Sequence, residues 1–171
     1  MNHRLPQRWT APPWIGSALS IILALGAASA HAANVSLAGP LQAYAGKVVY
    51  VDFWASWCGP CAESFPWLNA MQTRYGNRMA IVAVNVDADT TAAKAFLTRH
   101  PADFAVVYDP AGSIAEQYHI DGMPSTVILS ADGRVIHQHS GFFGSKATDY
   151  EAVIRNIVDS PTPPTARALI P

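Results

Sequence analysis

The sequence predicts an α/β fold, a central mixed β-sheet flanked by helices. Val48–Phe53 and Ala80–Val86 are almost wholly apolar and rich in β-branched residues, as strands buried on both faces should be. Helix-like segments lie between the successive strand-like runs, which makes parallel crossovers the natural connection. Finally, Thr126–Leu129 and Val135–His139 flank Ala131-Asp132-Gly133-Arg134, a turn that reads as an antiparallel hairpin.

The elements follow in order. Residues 33–46 are small, polar and Gly/Pro-containing, and form a lead-in to a domain spanning 47–159. From Cys58 to Tyr75, Phe65, Leu68, Met71 and Tyr75 recur at three- and four-residue steps, predicting a helix kinked by Pro66 and ended by Gly76-Asn77. Thr90/Thr91 look like the N-cap of a helix reaching Arg99, stopped by His100-Pro101. Phe104–Tyr108 is a third strand, Asp109–Gly112 a turn, and Ser113–Tyr118 a short helix. Lys146–Val158 is a last amphipathic helix with Tyr150, Val153, Ile154 and Ile157 on one face. The Pro-rich residues 160–171 are expected to be disordered. No internal repeat and no second domain is apparent.

The first 32 residues have the composition of an export signal. Arg4 and Arg8 precede an apolar stretch from Trp14 to Ala28, and Ala30-His31-Ala32 resembles a signal-peptidase site. The apolar run, interrupted by Gly16 and Gly26, falls short of the roughly 20 residues of a spanning helix, so cleavage is expected. An uncleaved inner-membrane anchor is the alternative. Without this segment the chain has 139 residues, with nine basic against twelve acidic side chains. That mild balance, with no basic run, argues against nucleic acid as a partner. The expected location is the periplasm.

Cys58 and Cys61 are the only cysteines, in Trp57-Cys58-Gly59-Pro60-Cys61 between a strand and a helix. A disulfide at this spacing closes a tiny ring and restricts the unfolded chain little, so reversible thiol–disulfide exchange explains it better than stability. At a helix start, unpaired N–H groups and the macrodipole favour a Cys58 thiolate, which would attack a substrate disulfide. Cys61 would resolve the mixed disulfide. Gly59 permits close backbone approach, and Pro60 sits where its missing N–H costs nothing. A zinc site lacks further ligands at suitable spacing, and a copper site using both thiolates and a histidine is a minor alternative. No cofactor beyond the Cys58–Cys61 redox pair and no metal is expected.

Val51-Asp52-Phe53-Trp54-Ala55-Ser56-Trp57-Cys58-Gly59-Pro60-Cys61, Pro66 and Gly122-Met123-Pro124-Ser125-Thr126 resemble the thioredoxin superfamily. From Asp87 to Pro124 there are 37 positions, room for an extra helix and strand over about Thr90–Tyr108. That insertion and the export signal resemble the TlpA/ResA-like thiol–disulfide oxidoreductases. The resemblance implies a cis-proline at Pro124 opposite the cysteines, exposing the Met123 backbone for strand-like pairing with a substrate peptide. It implies that Asp52 is the buried acid behind Cys61, with a pKa raised by desolvation, exchanging a proton during resolution. An Asp at the sheet edge reaching solvent is the competing reading. Trp57 would shape the substrate surface beside Cys58, unless it is a simple core or cap aromatic.

Two positions depart from the pattern. Ser64 stands where many relatives carry a glutamate, and Glu63, one residue earlier, points about 100° around the helix and reads as a solvated charge. Ala83 stands where many thioredoxins carry a lysine beside the buried acid, so Asp52 has no counter-charge. His137 and His139 alternate on one strand face and read as exposed rather than as a metal pair; His100 and His119 read as solvated. Phe142-Phe143 read as a loop folding over the core, with a partner contact as the alternative.

Gly-Pro between the cysteines resembles reducing members of the superfamily. The expected function is therefore a monomeric reductase of disulfides in exported proteins, of the kind that matures cytochrome c or copper sites. A membrane electron donor of thiol-transport type would recharge it. The alternatives are a thiol oxidase or isomerase of exported proteins, and a non-catalytic copper-binding or chaperone module.

Overall fold

A computed structural model describes Leu37 and residues 39–160. The export-signal reading and the Pro-rich tail therefore fall outside the described residues, Ser160 excepted. Among the described residues, nine strands and α-helices follow a short 3-10 turn at Gly39–Tyr44: β1 Val48–Trp54, α1 Gly59–Tyr75, β2 Met79–Asn85, α2 Thr90–Arg99, β3 Ala105–Tyr108, α3 Ser113–Gln117, β4 Ser125–Leu129, β5 Val135–Ser140 and α4 Ala147–Asp159. The five strands form one sheet in the order β3-β2-β1-β4-β5. β1 pairs parallel with β2, and β2 with β3, while β1–β4 and β4–β5 are antiparallel. The mixed sheet expected from the sequence is present, with helices on both faces.

Alternation along β1 divides the core. Tyr50 and Trp54 join Cys58, Cys61, Phe65, Leu68 and Met71 of the α1 side, together with Phe96 from α2 and Ile154 and Ile157 from α4. Val49, Val51 and Phe53 face the other way, onto Ile114, Ala115 and Tyr118 of the α3 side and Leu41 of the 3-10 turn. Trp54, Phe65 and Phe96 are buried and in mutual ring contact, with centroids 4.7 to 5.1 Å apart. They fix α1 and α2 against the same strand. Tyr75 Oη and Arg74 of α1 both donate to the Glu151 carboxylate of α4, tying the two helices together near the end of α1.

Several expectations shift in detail. The N-cap of α2 is Asp89, whose carboxylate accepts from Thr91 N at 2.8 Å, rather than Thr90 or Thr91. Gly76 closes α1 with right-handed backbone, φ −62°, its N–H bonding the Gln72 carbonyl; a Cβ there would lie 2.5 Å from that oxygen. Gly112 caps α3 at φ 72°, a left-handed conformation that suits glycine. The inserted region is α2 and β3, and β3 forms the sheet edge beside β2.

Candidate active site

Cys58 is the N-cap residue of α1, extended at φ −87° and ψ 107°, and is joined to Cys61 by a disulfide. Gly59 and Pro60 fill the first helical turn, where proline forfeits no intrahelical hydrogen bond. Cys61 N–H points at Cys58 Sγ, 3.2 Å away. That amide and the positive end of α1 favour negative charge on Cys58 once the disulfide opens. The two cysteines differ in access. Cys58 retains 5 % exposure, whereas Cys61 has none, so an incoming group meets Cys58. Around it the surface is open: Trp57 is 73 % exposed, Gly59 and Pro60 are exposed, and nothing lies within 4 Å of a Cβ built on Gly59.

The Met123–Pro124 peptide is cis. Ser125, the first residue of β4, pairs with Phe53 near the end of β1, so the proline lies at the sheet end from which β1 runs into the Cys58 loop. Met123 precedes the ladder and packs partly buried against both halves of the core. The turn is held by Gly141 N–H donating to Pro124 O at 2.7 Å and by Ser125 Oγ donating to Gly122 O at 2.7 Å.

Asp52 lies in the middle strand, 2 % exposed, which removes the edge-strand reading. It stands between Tyr50 and Trp54, and so on the face covered by α1. Its cross-strand neighbours are Ala83 on β2 and Thr126 on β4. Ala83 supplies no positive charge, so desolvation dominates and pushes the Asp52 carboxyl up to about 8, with the Thr126 hydroxyl pulling the other way. Ser64 is buried, its hydroxyl on Cys61 O at 3.0 Å, while Glu63 is exposed.

A clip behind the cysteines has no motif in the sequence. The buried Asp87 carboxylate accepts from Ser56 N at 2.9 Å, Ser56 Oγ at 3.1 Å and Asn85 Nδ2 at 2.8 Å. It ties the segment entering Cys58 to the end of β2. A small polar pair ending an apolar strand was the only available signal.

The other singled-out residues separate. His137 and His139 are half-buried rather than exposed, and His139 stacks on Tyr150 at 4.5 Å. Burial lowers the His139 pKa to about 4. His100 packs on Phe96, while His119 is exposed. Phe142 folds over Trp67 and Tyr150, and Phe143 is 55 % exposed. Among the described residues no group of three or more His, Cys, Asp or Glu side chains could hold a metal ion, and no helix is long and apolar enough to cross a membrane.

Comparison with known proteins places this architecture. The redoxin family matches residues 27–154. The chain belongs to the redoxin family. Within it, this redoxin is a TlpA/ResA-like member of the thioredoxin superfamily. It is 30% identical over 102 residues to the thiol-disulfide oxidoreductase ResA of Bacillus thuringiensis subsp. konkukian, covering 59% of each chain. Over 95 residues it is 36% identical to a thiol:disulfide interchange protein DsbE homolog of Paracoccus denitrificans, covering 55% of this chain and 51% of that one. A crystal structure named for a thiol:disulfide interchange protein DsbE from Chlorobium tepidum superposes with a TM-score of 0.67 at 44% identity, covering 69% of this chain and 84% of the other. The redoxin thus spans about 59% of the length of the Bacillus relative.

Proposed function

We propose that this redoxin is a thiol–disulfide oxidoreductase that reduces disulfides of exported proteins through Cys58 and Cys61. One observation carries the reading: a disulfide whose first cysteine, at a helix N-terminus, keeps a small exposure while the second is wholly buried. That asymmetry divides the labour between attack and resolution. The names of the Bacillus and Paracoccus relatives support the same chemistry.

In the reduced enzyme, the Cys58 thiolate attacks one sulfur of a substrate disulfide. A Cys58–substrate disulfide forms, and the other substrate sulfur leaves as a thiolate and takes up a proton. Cys61 then loses its proton to Asp52, and its thiolate attacks Cys58 Sγ. The Cys58–Cys61 bond forms as the mixed disulfide breaks, and the second substrate sulfur departs and is protonated. Two electrons pass to the substrate, and a dithiol donor restores the enzyme. A carboxyl with a pKa of about 8 is suited to accepting and returning that proton near neutral pH.

Substrate backbone pairs strand-like with Met123, before cis-Pro124, and passes over Gly59 and Pro60. Trp57 offers an exposed aromatic wall beside Cys58. The leader-like residues 1–32 support export to the periplasm, with or without retention at the inner membrane. There a membrane thiol-transport carrier would act as the dithiol donor, and cytochrome c or copper-site precursors as substrates of a monomeric enzyme.

Direction is tested by the redox state of Cys58 and Cys61 in the producing cell, using acid quench and alkylation with a mass-shifting thiol reagent. Largely reduced cysteines in an oxidising compartment require a dedicated electron supply and support the reductase. Largely oxidised cysteines would overturn it in favour of a thiol oxidase.

A further inference from the structure

Oδ2 of the buried Asp52 carboxyl has no hydrogen-bond partner, and Thr126 lies directly opposite Asp52 on β4, its hydroxyl favouring the ionised carboxylate. Thr126 is itself held: the buried Tyr50 Oη lies 3.1 Å from its Oγ1. A hydroxyl has one proton to give. When Tyr50 donates to Thr126, the Thr126 proton is free to go to Asp52, and the chain of donors runs Tyr50, Thr126, Asp52. Register enforces the arrangement, because Asp52 and Thr126 are cross-strand partners and Tyr50 pairs with Ile128 one step further along β4.

We propose that Thr126, fixed by Tyr50, is a positioning residue for Asp52: it holds one carboxyl oxygen and leaves Oδ2 as the acceptor of the Cys61 proton. The proposal rests on the reductase cycle above, in which Cys61-SH becomes the attacking thiolate and the carboxylate becomes a carboxylic acid. No electrons move in this step, and the proton is returned to the departing substrate thiolate or to solvent. Among the described residues, the elements packed around Asp52 bring the following groups. β2 contributes Ala83, α1 the two cysteines, α4 the Tyr150 phenol and β5 the half-buried imidazoles of His139 and His137. Among the described residues no lysine, arginine or second carboxylate shifts Asp52.

The hydroxyl favours the ionised carboxylate, so its loss should raise the pH at which Asp52 can accept a proton. The test is the rate at which the reduced chain is oxidised by oxidised glutathione, followed by tryptophan fluorescence from pH 5 to 10. Thr126→Val keeps the shape and removes the hydroxyl. Its rising limb should move up by about one pH unit, making it about tenfold slower at pH 7. Thr126→Ser should restore the wild-type limb, and Tyr50→Phe should shift it in the same direction by less. A Thr126→Val or Tyr50→Phe enzyme with lowered Tm but an unmoved pH limb would overturn the proposal, leaving the hydroxyls a purely structural part. Asp52→Asn and Cys58→Ser distinguish this from failure of the cycle itself. An unchanged limb in Asp52→Asn removes the proton-acceptor role of Asp52, and unchanged oxidation in Cys58→Ser removes the exchange reaction altogether.

Discussion

At the scale of single residues, Asp52 and His139 make opposite demands on stability. Asp52 holds its proton in the folded chain up to about pH 8 but loses it near 3.8 when unfolded. The folded state therefore binds more protons between those values, and this contribution is complete below pH 3.8 and is lost as pH rises to 8. His139 behaves conversely: its folded value is about 4 against 6.5 unfolded, so its burden on the fold eases as pH rises from 4 to 6.5. The two oppose each other up to about 6.5, and above that only Asp52 acts. Urea unfolding of the oxidised chain should show stability falling between about pH 6.5 and 8, and Asp52→Asn should abolish that fall. Asp52 was legible because a lone carboxylate interrupted an apolar strand. The histidine pair was not, because strand alternation gives a shared face but cannot say that Tyr150 of a distant helix will cover it.

At the scale of elements, the strands and helices were visible because each buries a periodic apolar face. β1 and β2 lie in the middle of the sheet and need apolar residues on both sides, so their runs are continuous. Ends were less legible. Asp89 rather than Thr90 caps α2, since a carboxylate one residue earlier reaches the Thr91 amide and the sequence offers three cap-forming side chains in a row. The Asp87 clip was missed for a related reason: its partners, Ser56 and Asn85, sit on different elements that only the parallel β1–β2 pairing brings together. Asp87→Ala removes three acceptor contacts and leaves the Ser56 amide without its carboxylate. It should cost about 2 to 3 kcal/mol in denaturant unfolding and slow thiol exchange several-fold by loosening the segment that presents Cys58. An Asp87→Ala protein with wild-type exchange kinetics would show that the clip serves stability alone.

At the scale of the whole molecule, the site is assembled at one end of the sheet from three stretches distant in sequence. β1 delivers Asp52 and the Cys58 loop, α1 buries Cys61, and β4 brings Thr126 and the cis Met123–Pro124 turn. The thiol pair could be read from spacing alone, and the cis-proline was implied by resemblance. The geometry adds the unequal exposure of the two cysteines and the Tyr50–Thr126 hydroxyl contact beside the acid. The exchange mechanism requires Cys58 as the attacking sulfur and Cys61 as the resolving one. The direct measurement is trapping by a tagged Cys61→Ser chain expressed in its own exporting cell, with non-reducing electrophoresis and mass spectrometry of the adducts. The expected result is a set of exported proteins joined to Cys58 by disulfides, released by reductant and absent in a Cys58→Ser/Cys61→Ser control. Absence of Cys58-linked adducts, with the tagged chain folded and exported, would contradict the exchange mechanism.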